Sequence, residues 1–314
     1  MLLDETLFLK TVQRLKPIGQ PWVITVSEMR ELTESGLKDA GAPTDQVIYE
    51  PYGKNTAAAV ALLCKRFDQL GKAGEIVGVF PADHLVTDSA EFELVVRKAE
   101  KIAAEGHVVT IGIMPTYPAT GYGYIETAEA FEDEHTGAKI AKSFREKPNE
   151  NTACEFLERG CFFWNAGMFI FRVSTMIELF QKYAPEIWKD VDALRTDNSN
   201  IEAVYKAVKS TSIDYAIMEK LPSHVCLPCS LGWSDLGSWD SMAEVLAEEV
   251  NAPRKIEVEG SKNFVYTNDK TKTFGFVGVD NLIVVETNDA LLITRKGETE
   301  YVKQLVDKLK NPET

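Results

Sequence analysis

Histidine is scarce in this chain, with four in 314 residues, and cysteine is nearly so, with five. No dense His or Cys/His cluster exists to build a zinc centre, and no Ser/His or Cys/His pair suggests nucleophilic catalysis. Cys64, Cys154, Cys161, Cys226 and Cys229 are odd in number and scattered, which suits a reducing compartment rather than a disulfide framework. The C-x-x-C at Cys226–Cys229 lies inside the apolar run "HVCLPCSLGW" and reads as strand filling, not as redox or zinc chemistry. Basic residues are also short: 34 Lys and Arg against 48 Asp and Glu, a net charge of −14. Nucleic-acid binding needs basic stripes, so that class is excluded, whereas small anionic substrates held by local cations or a metal are not. No apolar run is long enough to span a bilayer, and "MLLDETLFLK" has no basic leader region, so no membrane partner and a cytoplasmic location are expected.

What the chain does have is 45% hydrophobic residues, enough for one large core and a smaller second one. Strand and helix signals alternate over the first part. "PWVITV", "QVIYE", "EIVGVFP" and "HVVTIGI" read as strands. Between them, "SEMRELTESGLKDAG", "NTAAAVALLCKRFDQLG" and "DSAEFELVVRKAEKIAAEG" read as helices, with Ser27 and Asn55 as N-caps of the first two. This alternation predicts an α/β fold with a mixed, mostly parallel sheet. After Pro115 come a Gly/Tyr-rich loop, two more strands and a helical stretch. A boundary is expected at "NAPRK", giving domains 1–252 and 253–314. The second is a small β domain of short strands, a stub of coiled β-helix, closed by a helix.

In open α/β sheets ligands sit outside the carboxyl ends of the strands, so the residues directly after strands carry the chemistry. Here those are Glu50, Asp83, the "GYGYIE" loop, Glu146–Lys147, Asn165 and Asp235. Asp83 and Asp235 suit Mg²⁺, which takes one or two carboxylates plus phosphate oxygens; equally, each could close a local turn. His84 is read as support for Asp83. Lys147 can neutralise a phosphate and Glu146 can accept from sugar hydroxyls, though an exposed ion pair is the alternative. Gly121 and Gly123 allow close backbone approach around Tyr122. Asn165 offers an amide beside small residues, or marks a bulge. Glu50 could accept from the N1–H and N2 amino group of guanine. The helix start at Asn55–Thr56 could face an anion.

Taken in order, "EPYGKNTAAAVALL", "VFPADHLV", "GYGYIE", "FREKP", "WNAGMFIF", "SIDYAIMEK" and "GWSDLGSWD" resemble the mannose-1-phosphate guanylyltransferases of the sugar-nucleotidyltransferase superfamily. The similarity spans nearly the whole chain. It implies a Rossmann-like nucleotidyltransferase domain with a small left-handed β-helix-like domain. The implied reaction is GTP plus α-D-mannose 1-phosphate giving GDP-mannose and diphosphate. By the same resemblance, Asp83 and Asp235 match Mg²⁺ ligands, and Lys147 with them is catalytic. Glu146, Lys147, Gly121, Tyr122, Gly123 and Asn165 match the sugar and sugar-phosphate side. Glu50, Pro51, Asn55 and Thr56 fall in the nucleotide-side segment. A homodimer is a possible assembly. The alternatives are a nucleotidyltransferase for another sugar 1-phosphate or a non-catalytic sugar-nucleotide-binding homologue.

Members of that family open with a strand and a Gly-rich, Arg- and Lys-bearing phosphate loop, "LAGGxGTRLxPLSRxxxPK". The stretch from "MLLDETLF" corresponds to the segment just C-terminal to that loop. The expectation is a start site upstream, little or no guanylyltransferase activity for the chain as written, and an exposed sheet edge that favours aggregation.

Overall fold

The computed structural model describes residues 5–131, 137–246 and 253–310. It forms two compact units, residues 1–233 and 234–314. The division falls inside a two-residue strand, β10 (Trp233–Ser234). The expected boundary at 252/253 touches residues 247–252, which lie outside the described residues.

The first unit begins with α1 (Leu7–Leu15), β1 (Val23–Val26), α2 (Arg30–Asp39), β2 (Val47–Glu50), α3 (Asn55–Gln69), β3 (Ile76–Val79), β4 (Leu85–Val86), α4 (Ser89–Ala104) and β5 (Val109–Ile113). It continues with β6 (Tyr124–Ala130), β7 (Lys139–Arg145), α5 (Glu150–Arg159), β8 (Phe162–Arg172), α6 (Val173–Tyr183), α7 (Pro185–Asp192), α8 (Ile201–Ala207), α9 (Ile213–Ala216) and β9 (His224–Cys229).

The central sheet has six strands in the order β3-β8-β5-β9-β7-β6, and β6 also pairs with the start of β8. It is mixed, but the expectation of mostly parallel pairing is corrected. In the first unit β1–β2 and β5–β9 run parallel, while β3–β8, β5–β8, β6–β7, β6–β8 and β7–β9 are antiparallel. Helical crossovers impose parallel pairing only in the first part of the chain. Beyond Ile113, β6 and β7 pair antiparallel, and β8 returns through the centre of the sheet against its neighbours. Among the described residues, β1 pairs only with β2 and β3 only with β8, so each leaves one edge without a strand partner.

Alternation along β8 builds a core on each face of the sheet. Phe169 and Phe171 pack with α3, α6 and α7; Met168 and Ile170 pack with α4 and β5. In α3, Ala57, Ala58 and Ala61 are fully buried, so the "NTAAAV" run exists for close approach. Two expected caps are corrected. The Ser27 hydroxyl starts a short 3₁₀ turn and donates to the Glu50 carbonyl (2.9 Å), so it caps no amide of α2. Asn55 is the first residue of α3, at φ 67°, and its Oδ1 accepts only from the adjacent Thr56 N–H (2.8 Å).

The second unit contains β10 (whose first residue closes the first unit), α10 (Trp239–Leu246), β11 (Arg254–Val258), β12 (Phe264–Thr267), β13 (Thr273–Val277), β14 (Leu282–Glu286), β15 (Leu291–Arg295) and α11 (Val302–Lys310). β11 pairs in parallel with β13, and β12 with β14. Both registers have the same offset: Arg254 meets Thr273 and Phe264 meets Ile283, so 273 − 254 = 283 − 264 = 19 residues per coil. Polar contacts follow the same step. Ser261 binds Asp280, Thr267 binds Glu286, and buried Asn263 receives the Leu282 N–H on Oδ1. A constant offset between parallel strands is the mark of a coil, and the unit is β-helix-like.

Candidate active site

β3 delivers its carboxyl end to Pro81–Ala82 and then to Asp83 and His84. The Asp83 side chain is 84% exposed, and its Oδ1 stands 4.0 Å from His84 Nε2. His84 is mostly buried and is held from the other side, where the Trp233 indole N–H donates to its Nδ1 at 3.1 Å. Nδ1 is therefore an acceptor, which places the neutral ring's hydrogen on Nε2, the nitrogen nearer Asp83. The Trp233 ring also packs edge-on against Tyr122, and Tyr122 against Trp164 and Tyr117. One aromatic cluster thus fixes the "PADH" turn, the "GYGY" loop and the middle of β8 to one another.

Asn165 follows Trp164, at a bulge. Asn165 lies opposite Gly112 and Phe169 opposite Thr110, so β8 carries three residues where β5 has one. The bulge reading of "WNAGMF" holds, and the bulge re-aims Asn165. Gly167 within it has φ 66°, and its N–H donates to Asn165 Oδ1 at 3.0 Å. The Asn165 backbone N–H donates to Gly123 O at 2.8 Å. Gly123 in turn abuts Glu146: a Cβ there would lie 2.7 Å from its Oε2. Gly121 faces open space. Glu146 pairs with Lys147 at 3.7 Å, and the Lys147 side chain is 63% exposed. Lys147 has φ 44° immediately before Pro148, a conformation that costs about 1–3 kcal/mol and persists only where the surroundings impose it.

The structure therefore brings Gly123, Glu146, Lys147 and Asn165 together. It adds Asp214, to which sequence reasoning gave no role. The Asn165 amide donates from Nδ2 to Asp214 Oδ1 at 3.1 Å. Burial, and then the nearby carboxylates of Glu146 and Glu219, push the Asp214 carboxyl up to about 6. In "SIDYAIMEK", an aspartate in a first helical turn reads as ordinary capping, which hid it.

The nucleotide-side residues are arranged differently from expectation. Glu50 is 7% exposed, and its Oε1 accepts from the Tyr205 hydroxyl at 3.0 Å. Burial raises the carboxyl above the usual range, and the same burial and contact raise the phenol. The carboxylate expected to meet guanine is thus turned into the core. Pro51 is half-buried beside it, while Asn55 and Thr56 are exposed. The expected anion site at the start of α3 is corrected too: the Thr56 N–H goes to Asn55 Oδ1 and the Ala57 N–H to Thr211 O.

Asp235 belongs to the second unit. Its Oδ1 accepts from Gly237 N–H at 2.9 Å, and the intervening Leu236 has φ 50°. Cys226 and Cys229 are both buried on β9, with burial pushing each thiol up to about 12. Among the described residues no group of three or more His, Cys, Asp or Glu converges as a metal cluster, and no helix is long and apolar enough to cross a membrane.

The family described as "Nucleotidyl transferase" matches residues 1–251. The chain belongs to that family. Residues 253–309 match the "MannoseP isomerase/GMP-like beta-helix domain". AlgA, an alginate biosynthesis protein of Pseudomonas syringae pv. tomato, is 35% identical over 320 residues, covering 96% of this chain and 65% of the relative. RfbM, a mannose-1-phosphate guanylyltransferase of Salmonella typhimurium, is 34% identical over 322 residues, covering 96% and 64%. A solved structure described as a mannose-1-phosphate geranyltransferase from Thermus thermophilus superposes with a TM-score of 0.81 at 28% identity, covering 98% of this chain and 90% of that one. The chain spans slightly less than two thirds of the length of these two curated relatives.

Proposed function

We propose that this chain is the nucleotidyltransferase portion of a mannose-1-phosphate guanylyltransferase, joining GTP and α-D-mannose 1-phosphate to give GDP-mannose and diphosphate in the cytoplasm. The observation that carries the reading is the convergence of Gly123, Glu146, Lys147 and Asn165 beside the turn that presents Asp83. Nucleotidyl transferase family membership supports it, as does the name of the relative RfbM.

The chemistry asks little of an acid or base. The attacking atom is already a phosphate oxygen carrying negative charge, so no general base is needed, and the barrier lies in bringing two polyanions together in line. Lys147 would hold the sugar phosphate, its strained backbone fixing the start of the side chain. Glu146 and Asn165 would take the sugar hydroxyls, with Gly123 letting the chain lie close. The donor chemistry of Asp83 fits Mg²⁺: it is a hard carboxylate, solvent-facing, with no cation of the described residues within ion-pair distance except the His84 ring at 4.0 Å. Asp235, half-exposed and with Oδ1 already accepting from Gly237 N–H, is the second carboxylate that the resemblance matches to the ion. When bound, such an ion would neutralise phosphate charge.

The test crosses GTP, ATP, UTP and dTTP with mannose, glucose and fucose 1-phosphates, following diphosphate release, alongside calorimetric binding of GDP-mannose. The expected result is GDP-mannose binding, with GTP and mannose 1-phosphate as the preferred pair. A different preferred pair overturns the assignment, and binding without turnover under all pairs, both in the chain as given and in a protein extended by a family-type N-terminal segment, would show a sugar-nucleotide-binding protein instead.

A further inference from the structure

Asp214 is out of place as a structural residue. Its helix, α9, has only four residues, and the N-terminal amide of that turn is already capped, because Ser212 Oγ accepts from Tyr215 N–H at 3.3 Å. The carboxyl of Asp214 is partly buried in the company of Glu146 and Glu219, and it makes no ion pair with a cation among the described residues. Lys147 is engaged with Glu146, and Arg145 acts on Glu219. Tyr215, on the same turn, faces the same three carboxylates. Crowding carboxylates away from water is unfavourable unless something donates to them. The donors present among the described residues are the Asn165 Nδ2 and Asp214's own backbone N–H.

The Asn165 amide is in turn fully oriented. Oδ1 is committed to Gly167 N–H, and one Nδ2 hydrogen to Asp214. That leaves one Nδ2 hydrogen as a donor, directly beside a carboxylate with free acceptor capacity. A sugar hydroxyl both donates and accepts. A fixed amide N–H next to a carboxylate oxygen is complementary to one hydroxyl or to two adjacent ones, and neutral hydroxyl donors relieve the carboxylate without adding charge.

We infer that Asp214 is a sugar-recognition residue that fixes the Asn165 amide through Nδ2 and itself accepts a hydroxyl of the sugar 1-phosphate. The inference rests on the proposed sugar side of the site. Its consequence is a trade-off, since the residue that reads the sugar strains the empty protein.

The experiment is calorimetric titration of the full chain with GDP-mannose and with GDP, comparing wild type and Asp214→Asn. Asparagine keeps the shape and can still accept from Asn165, but loses the charge and one acceptor. The expected outcome is at least a tenfold loss of GDP-mannose affinity with GDP affinity unchanged within twofold. Lowering the pH from about 7.5 to about 5.5 should weaken GDP-mannose binding by wild type and leave the variant flat, because the carboxyl titrates near 6 while the diphosphate of GDP-mannose does not titrate there. The exchange Asn165→Asp/Asp214→Asn restores one donor beside one acceptor and should recover part of the loss. Equal GDP-mannose affinity in wild type and variant overturns the inference and leaves the proposed activity standing. No GDP-mannose binding by wild type overturns the proposed activity and the inference with it. Thermal unfolding guards against misfolding: Asp214→Asn should melt no lower than wild type at about pH 8, and a lower melting temperature would show a structural role and overturn the inference.

Discussion

Thr56 Oγ1 accepts the backbone N–H of Ile213 at 2.9 Å, across 157 residues of sequence. This contact ties the "KNTAAA" helix start to the turn that carries Asp214. Ile213 is 2% exposed, so its amide has little access to water once the hydroxyl is gone. Thr56→Ala should destabilise by about 1–2 kcal/mol, the cost of orphaning a buried donor, while Thr56→Ser should retain most of the stability. Urea unfolding of the three proteins checks this; equal midpoints would show that the contact contributes nothing.

The two glycines of "GYGY" should behave differently. At Gly123 an added Cβ would lie 2.7 Å from Glu146 Oε2 and 2.9 Å from Phe144 Cζ, whereas at Gly121 it would meet nothing within 4 Å. In a protein extended by a family-type N-terminal segment, Gly123→Ala should raise KM for the sugar 1-phosphate roughly tenfold or more by displacing Glu146. Gly121→Ala should leave both KM and melting temperature unchanged. Equal KM values for the two variants would remove Gly123 from the sugar side.

His224 lies on β9, with 8% exposure and no hydrogen-bond partner for its Nε2 among the described residues. Burial lowers its pKa from 6.5 to about 4. The unfolded chain therefore takes up a proton through the ordinary value, while the folded chain resists until about 4. Stability is intact above 6.5 and is lost as pH falls between the two values, by up to about 3 kcal/mol. Asp214 runs in the opposite sense, because its raised carboxyl contributes stability that is lost as pH rises through about 6. His224→Leu should flatten the acid loss of melting temperature, and His224→Leu with Asp214→Asn should flatten the remainder. A His224→Leu profile parallel to wild type would refute the assignment.

Asp83 tests the metal reading. Its side chain is 84% exposed, so Asp83→Asn should leave the melting temperature unchanged. In a protein extended by a family-type N-terminal segment, turnover should fall by roughly 100-fold or more if the carboxylate helps to neutralise the phosphates. Its concentration dependence on Mg²⁺ should shift upward. Unchanged turnover at limiting Mg²⁺ would exclude Asp83 from that role.

Much of this molecule was legible in one dimension. Local rules located the strands and helices, because apolar periodicity and glycine terminators act within a few residues: Gly41 and Gly71 end their helices at φ 61° and 69°. The spacing of short strands in the second unit suggested a coil, but not its repeat. Its repeat of 19 residues is carried by backbone register and by pairs such as Thr267–Glu286, while the side chains at matching positions differ.

The sequence by itself determined that Asp83, Glu146 and Lys147 follow strand ends, although it also set Asn165 after a strand, where the structure has it inside β8. It could not determine which side chains face each other across long separations. Glu50 is turned from a ligand position into the core by Tyr205, Asn165 is aimed by a two-residue bulge, and Asp214 enters the site from a turn that reads as capping. Each depends on contacts between residues about 50 or more positions apart, or on a register shift between strands. Such contacts are set by packing, and local sequence preference carries no record of them.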